Sequence, residues 1–482
     1  MKRLKIKYNY LGLFVLIPLL FSTYSCKKDF LTLSPELSIP SEFVFSSEER
    51  IESQVTGIYA TIKSGQFYGG RLLIYNDIRS EEFSIEKPNN VTGNSVYQFT
   101  NDETDSYIAN FWVVGYLTIN RINIFLEGIE AVGTDIISAE KKTQLIGEVK
   151  FIRALTYAAL VQLFAKPYAA DNGASKGIPL RLLPERSSEN NDLQASPVAD
   201  IYAQILKDLN EAEPAVPANY QDQEATATRV HRNTVIALKT RMYLTMRDYP
   251  KVITEANKIV SAAAPFTAGS GVNHKLSPSI SDVFSNFYNP ERILSFPFEN
   301  NNAPGTQNQL GFYYNEGNIE YSLDPAGILG NANWPASDDR KSELTGRSSD
   351  NQLDLLTKFS NTSPFLDWIP VIRYSEVLLN LAEAEAEDGS QARSLALLEA
   401  VRNRSDAAYN FPAFSNKDEL VAAILLERRI EFLGEGRRVP DLQRRNMPIP
   451  SKGAGKLIQP TDTEYIFPTP LIETITNPGV NN

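Results

Sequence analysis

The chain has 482 residues, 42% of them hydrophobic and 22% charged, with 58 Asp+Glu against 47 Lys+Arg. This is a globular composition with enough apolar residues for a large core, and its acidity argues against nucleic acid as a partner. One Cys and two His exclude a disulfide framework, a zinc cluster and a redox dithiol, so no metal and no cofactor is expected.

The first 25 residues read as a secretory signal. Lys2, Arg3, Lys5 and Lys7 precede an apolar run from Leu11 to Phe21, which is too short to span a bilayer but right for a signal h-region. Small residues Ser22, Thr23 and Ser25 lead into Cys26, the only cysteine. A cysteine in that place reads as the acylated first residue of a bacterial lipoprotein, although Thr23 stands where Leu is usual. Residues 26–41 then form a lipidated tether, and 42–482 a single domain. Without the signal's four cations the body is more acidic still, so acyl chains, not surface charge, would hold it to a membrane.

Helical periodicity recurs along the body. It predicts helices over Glu48–Ile62, Trp112–Ile129 and Lys141–Phe164, the last stopping before Pro167. Pro197–Leu209 follows, with Ser196 as N-cap. Asn233–Thr245 with Pro250–Ala263, and Tyr374–Glu387 with Gln391–Arg404, read as helical hairpins. Asp418–Phe432 is a further helix, stopped at Gly434 and Gly436. Small residues on the facing sides (Ala237, Ala256, Ala382, Ala384, Ala386, Ala396, Ala400) resemble tetratricopeptide hairpins, without a regular period. The fold class expected is mostly α: irregular helical pairs forming a scaffold with long loop-rich insertions.

Two stretches break the pattern. Gly69–Phe99 is irregular and carries Tyr75-Asn76-Asp77-Ile78-Arg79 and Tyr97. A large insertion runs from about 264 to 368. Between Phe284 and Trp334 it holds ten aromatics and ten Asn in fifty-one residues. An insertion of that size in an ordered domain is usually functional.

Nothing in the sequence supports catalysis. Glu427 and Glu431 lie one helical turn apart, as a glycosidase pair might be sought. Arg428, Arg429, Arg437, Arg438, Arg444 and Arg445 surround them, however, and guanidinium groups hold carboxylates ionised where a general acid needs a raised pKa. A structural ion-pair brace is expected there. His231 and His274 have no partner at ligand spacing, and no phosphate loop, nucleophile elbow or zincin motif is present.

Binding has better support. A sugar offers apolar C–H faces rimmed by hydroxyls; aromatic rings cover the faces, and Asn, Asp and Arg bond the hydroxyls. Tyr288-Asn289, Phe312-Tyr313-Tyr314-Asn315, Tyr321 and Asn331-Ala332-Asn333-Trp334 supply both. The competing reading is that these rings pin the insertion to the scaffold. Trp112 and Trp368 are expected to open helices as core residues.

The segment Trp368-Ile369-Pro370-Val371-Ile372-Arg373-Tyr374-Ser375-Glu376-Val377-Leu378-Leu379-Asn380-Leu381-Ala382-Glu383-Ala384 resembles a hallmark of the SusD-like (SusD/RagB) nutrient-binding lipoproteins. Glu427-Arg428-Arg429-Ile430-Glu431 with Glu435-Gly436-Arg437-Arg438 and Asp441-Leu442 resembles a second. Arg153-Ala154-Leu155-Thr156-Tyr157 with Leu163-Phe164 and the closing Phe467-Pro468-Thr469-Pro470 with Asn477-Pro478-Gly479 resemble others, as does Asp29-Phe30-Leu31 after Cys26. The resemblance runs in order from residue 26 to 479.

It implies a helical fold with four tetratricopeptide-like units under a variable loop face. It further implies a lipoprotein anchored in the outer membrane, facing the exterior, that captures an oligosaccharide for a SusC-type TonB-dependent transporter without chemistry on it. By position, Asn76, Asp77, Arg79 and Tyr97 fall in one stretch where the family places glycan contacts. Tyr288, Tyr313, Tyr314, Tyr321 and Trp334 fall in the other. With three Trp in the chain, tyrosine stacking and amide hydrogen bonds are expected, at micromolar to millimolar affinity. Two alternatives remain: a peptide-binding member of the same family, or a helical-repeat adaptor of the transporter with no ligand of its own.

Overall fold

A computed structural model describes residues 43–481, apart from 190, 362 and 454. The expected signal peptide, Cys26 and the tether lie outside the described residues. The described residues fall in two units, 43–51 and 52–481. In the first, the Arg50 guanidinium donates to Phe43 O and Ser46 Oγ, both at 3.0 Å. The second holds the fold described below.

Eleven helices carry the argument: α1 (Glu48–Ile62), α2 (Arg71–Ile78), α3 (Ser106–Glu130), α4 (Ala139–Phe164), α5 (Val198–Ala215), α6 (Arg232–Thr245), α7 (Tyr249–Ala256), α8 (Tyr374–Asp388), α9 (Gln391–Ser405), α10 (Lys417–Glu431) and α11 (Arg438–Arg444). From α3 to α8 each packs on the next, and α8 also packs on α9 and α10. The result is a stack of helical pairs, as the periodicity predicted.

Local chemistry sets the ends. Ser138 Oγ accepts the Lys141 amide at 3.1 Å and so starts α4. The helix stops at Ala165, whose extended backbone leads to Pro167. Its C-terminal half is buried nearly all round, with Leu155, Tyr157, Leu160 and Leu163 at 0% exposure; truncating such a leucine costs about 2–5 kcal/mol. Ala382 and Ala384, fully buried on α8, let α9 approach until Ser394 Oγ donates to Ala382 O at 2.7 Å.

Strands are short and antiparallel. β1 (Phe83–Ile85) pairs with β3 (Tyr321–Leu323), Ile85 opposite Tyr321. β2 (Arg292–Phe296) pairs with β4 (Ile369–Arg373). The first ladder ties the middle of the insertion to the loop after α2, and the second ties residues 292–296 to the strand that follows the insertion.

Three expectations need correction. The stretch 69–99 contains a helix, α2; all eight of its residues are buried, so no polar face marks a period. The helix expected over Pro250–Ala263 ends at Ala256, where i→i+3 bonds (Lys258 N to Glu255 O, Ile259 N to Ala256 O) tighten the chain into turns. Neither Trp opens a helix. Trp112 lies inside α3, and Trp368 precedes β4, whose residues are taken by the ladder with β2.

Among the described residues no helix is long and apolar enough to cross a membrane.

Candidate ligand-binding face

The loops after α2 and the insertion meet through the β1–β3 ladder, and aromatic packing fills the seam. Tyr314 stacks on Phe83, centroids 4.8 Å apart. Its hydroxyl donates to Asp77 Oδ2 at 3.2 Å, and the Gly436 amide donates to Asp77 Oδ1 at 2.9 Å. Burial pushes both the Asp77 carboxyl and the Tyr314 phenol up. The Tyr313 hydroxyl shares a 2.8 Å hydrogen bond with Tyr107 and donates to Gln307 O at 3.0 Å. Tyr321 donates to Thr92 O at 3.0 Å.

Of the nine residues singled out from the sequence, Asn76, Asp77, Arg79, Tyr313, Tyr314, Tyr321 and Trp334 are buried. Expected as ligand contacts, these seven do not meet solvent: Asp77, Tyr313, Tyr314 and Tyr321 tie the insertion to the scaffold, while Asn76 and Arg79 bond groups outside the insertion. Asn76 exchanges hydrogen bonds with Gln162 (3.3 and 3.1 Å) and lines a cavity of about 90 Å³ between α2, α4 and α6. That is room for a handful of waters. Arg79 donates to the carbonyls of Tyr465 (2.7 Å) and Glu464 (3.3 Å). Trp334 packs under Lys341, whose ammonium lies 5.3 Å from the ring centre. Tyr288 is 48% exposed and Tyr97 part-exposed.

What the structure brings together is a run of rings that surfaces at both ends. Tyr97, Tyr321, Tyr313, Phe312 and Phe365 follow one another with centroids 5.7, 6.0, 5.9 and 6.0 Å apart. Tyr321 and Tyr313 are the buried middle; Tyr97, Phe312 and Phe365 are part-exposed. Near Phe365 in sequence, Trp368 stacks on Phe287 at 4.6 Å and 2°, with Tyr288 edge-on at 5.9 Å.

Polar groups sit among these rings. Asn315 donates to Phe359 O at 2.9 Å, and Asn318 to Phe312 O at 3.2 Å. Asp367 Oδ1 accepts from the Asn361 backbone (3.2 Å) and side chain (3.1 Å), while Oδ2 has no partner among the described residues. Burial pushes the Asp367 carboxyl up to about 6. Gly311 makes this approach feasible: a Cβ there would meet Phe365 Cδ1 at 3.0 Å and Asp367 Oδ2 at 3.2 Å.

Phe312 and Phe365 escaped the sequence reading. Phe312 belonged to the noticed Phe-Tyr-Tyr run, but only the short helix Leu310–Tyr314 shows which of the three turns out. Phe365 follows Pro364 at a positive φ of 60°, and nothing local marks it.

The carboxylates at 427 and 431 behave as a brace. Glu427 accepts from Arg340 (2.5 Å) and Arg402 (2.6 Å); Glu431 accepts from Arg340, Arg373 and Arg404 at 2.7–2.9 Å, all in the protein interior. Burial alone would raise the Glu431 pKa, but the Arg404, Arg373 and Arg340 charges hold it well below the usual range. Among the described residues no cluster suits a metal ion.

Comparison with known proteins places this geometry. Residues 162–465 match the model of the SusD family, and 29–244 match one described as starch-binding and associating with the outer membrane. A SusD superfamily protein of known structure from Bacteroides fragilis is 32% identical, with a TM-score of 0.82 over 91% of this chain and all of that one. A laminarin-binding SusD-like protein of known structure is 21% identical, with a TM-score of 0.70 over 90% of this chain and 98% of that one. SusD-like protein P25 of Formosa agariphila is 26% identical over 68% of this chain, a match spanning 57% of that relative's length.

Proposed function

The chain belongs to the SusD family, and from that membership we propose that it captures a glycan and passes it to a SusC-type TonB-dependent transporter. The observation that carries the ligand half is the exposed rim of the aromatic run. Tyr97, Phe312, Phe365 and Tyr288 offer ring faces beside Asn315, Asn318, Asn361 and Asp367. Rings cover the C–H faces of a sugar while amides and a carboxyl bond its hydroxyls. A neighbour in structure binds laminarin, and part of the chain matches a starch-binding model, which supports a sugar over a peptide.

Acylation of Cys26 anchors the protein in the outer membrane, facing outwards, in this reading. No chemistry is performed on the ligand: the paired carboxylates are neutralised by arginines, so no general acid is available there.

Glycan and peptide arrays probed with the purified chain carrying Cys26→Ala test the proposal. Retention of one class of oligosaccharide, weakened by Phe312→Ala, supports it. Peptide binding without oligosaccharide binding replaces the ligand, and silence on both arrays favours a transporter adaptor.

A further inference from the structure

At the edge of the same face two cations lie together without a counter-charge among the described residues. Arg79, at the end of α2, is fully buried; one of its nitrogens serves the Tyr465 and Glu464 carbonyls, while Nε and Nη1 have no partner among the described residues. Lys452 reaches in from the loop after α11 and donates to Ile78 O (2.6 Å) and Tyr97 O (2.7 Å). Its ammonium sits 3.8 Å from the Tyr97 ring centre and 4.8 Å from that of Phe99; the Arg79 guanidinium lies 5.0 Å from the Phe467 ring centre and 5.8 Å from that of Phe99.

Arg71 and Arg292 are likewise buried without a carboxylate, served by Asn308 Oδ1 and Tyr107 O and by Ser295 Oγ and Val283 O; the informative contrast is with the arginines of the brace. Arg340, Arg373, Arg402, Arg404, Arg428 and Arg444 are all buried or nearly so, and each is bonded to a carboxylate. Neither Arg79 nor Lys452 has a carboxylate at ion-pair distance among the described residues. Glu81, the acid whose field reaches Lys452, is itself bound to Arg438 (2.6 Å) and Arg429 (3.1 Å). A cation buried away from a counter-ion is costly. A structural clamp accounts for the two carbonyl bonds of Lys452, since a cation at the C-terminal end of α2 is favourable. It does not account for the two unpartnered Arg79 groups.

We propose that Arg79, Lys452 and the part-exposed rings of Tyr97 and Phe99 form an anion subsite, and that the captured glycan is acidic, carrying a carboxylate or sulfate group. A sugar ring stacked on Tyr97 brings its acidic substituent to the Lys452 ammonium, with Arg79 behind it. In that low-dielectric surrounding the pair attracts an anion more strongly than two surface lysines would. Burial pushes the Lys452 ammonium well below its ordinary pKa and Arg79 down to about 10, the response of cations lacking an anion. The sugar half of the inference rests on the glycan reading above; the anion half does not.

The test uses the purified full chain and two variants. Lys452→Gln keeps an N–H donor for the Ile78 and Tyr97 carbonyls but removes the charge, and Lys452→Arg restores it. The first probe is inorganic sulfate, read by thermal unfolding at ionic strength held constant with sodium chloride. A saturable rise in Tm is expected for the native chain and Lys452→Arg, and none for Lys452→Gln. The second probe is a glucuronate-containing oligosaccharide against its neutral counterpart of equal length. At least tenfold tighter binding of the acidic sugar is expected, falling towards parity in Lys452→Gln and returning in Lys452→Arg.

A flat sulfate response in the native chain, or an acid preference that survives Lys452→Gln, overturns the anion subsite. Equal affinity for the two sugars overturns the acidic-glycan assignment and leaves glycan capture standing. Binding of neither sugar, with a sulfate response that depends on Lys452, leaves the anion subsite standing and removes glycan capture.

Discussion

The Tyr314 hydroxyl donates to the buried carboxylate of Asp77, tying the insertion to α2 across 237 positions of sequence. Because the Gly436 amide bonds the other Asp77 oxygen, one carboxyl joins the early helix, the insertion and the C-terminal motif. Both residues had looked like ligand contacts, and this bond is the reason they face inward.

Tyr314→Phe keeps the stack on Phe83 but leaves Asp77 Oδ2 buried without a donor. A loss of about 1–3 kcal/mol in unfolding free energy is expected, measured by urea denaturation. Glycan affinity should not change; a loss of affinity at unchanged stability would return Tyr314 to the binding surface.

Phe312→Ala and Phe365→Ala should do the opposite. Each removes a part-exposed stacking face, and at about 1 kcal/mol per ring affinity falls roughly fivefold. Titration calorimetry with the array-selected oligosaccharide measures this. Tyr313→Ala, which empties a fully buried position, is expected to lower Tm first.

Glu427→Gln tests the brace. Removing one carboxylate leaves Arg340 and Arg402 short of a charge partner inside the protein, at a cost of about 3–5 kcal/mol. A chain that folds with native stability would show that the cluster is not structural.

Acid sensitivity should come in two stages. His231 and His274 stack at 5.3 Å in the interior, and burial lowers both pKa values, that of His274 to about 4. Their unfolded forms bind protons from about pH 6.5 downwards, so stability falls as pH drops from there towards 4, by on the order of 3 kcal/mol for His274. His274→Gln should flatten that limb. Glu376 and Asp441 follow: despite their burial, Arg241 beside Glu376 and Arg428 beside Asp441 hold both at about 2. Their contribution is complete above the ordinary carboxylate range and is lost as pH falls from about 4 through 2. Denaturation midpoints at closely spaced pH values separate the stages.

The scaffold was legible because its signals are local. Apolar spacing on α4 and the proline that follows it act within a few residues; Ser196, expected as an N-cap, is not one, because α5 begins at Val198 after Pro197 with no side-chain cap bond. The brace was legible for a similar reason, since arginines crowd Glu427 and Glu431 in sequence as well as in space. α2 was illegible because a helix buried on every side shows no alternation of polar and apolar faces.

The sequence by itself determined a helical scaffold, an acidic body, a brace in place of a catalytic pair, and an insertion rich in rings and amides. Tertiary structure alone decided which of those rings meet solvent. In Phe312-Tyr313-Tyr314 the composition gives no order of exposure; the turn of one short helix and the hydroxyl partners Tyr107 and Asp77 draw the tyrosines in and leave the phenylalanine part-exposed. The same holds for Arg79 and Lys452, 373 positions apart, whose shared want of an anion exists only once Ile78 and Tyr97 bring the lysine in. Periodicity reports a residue's relation to its own helix, whereas a binding face is a relation among segments distant in the chain.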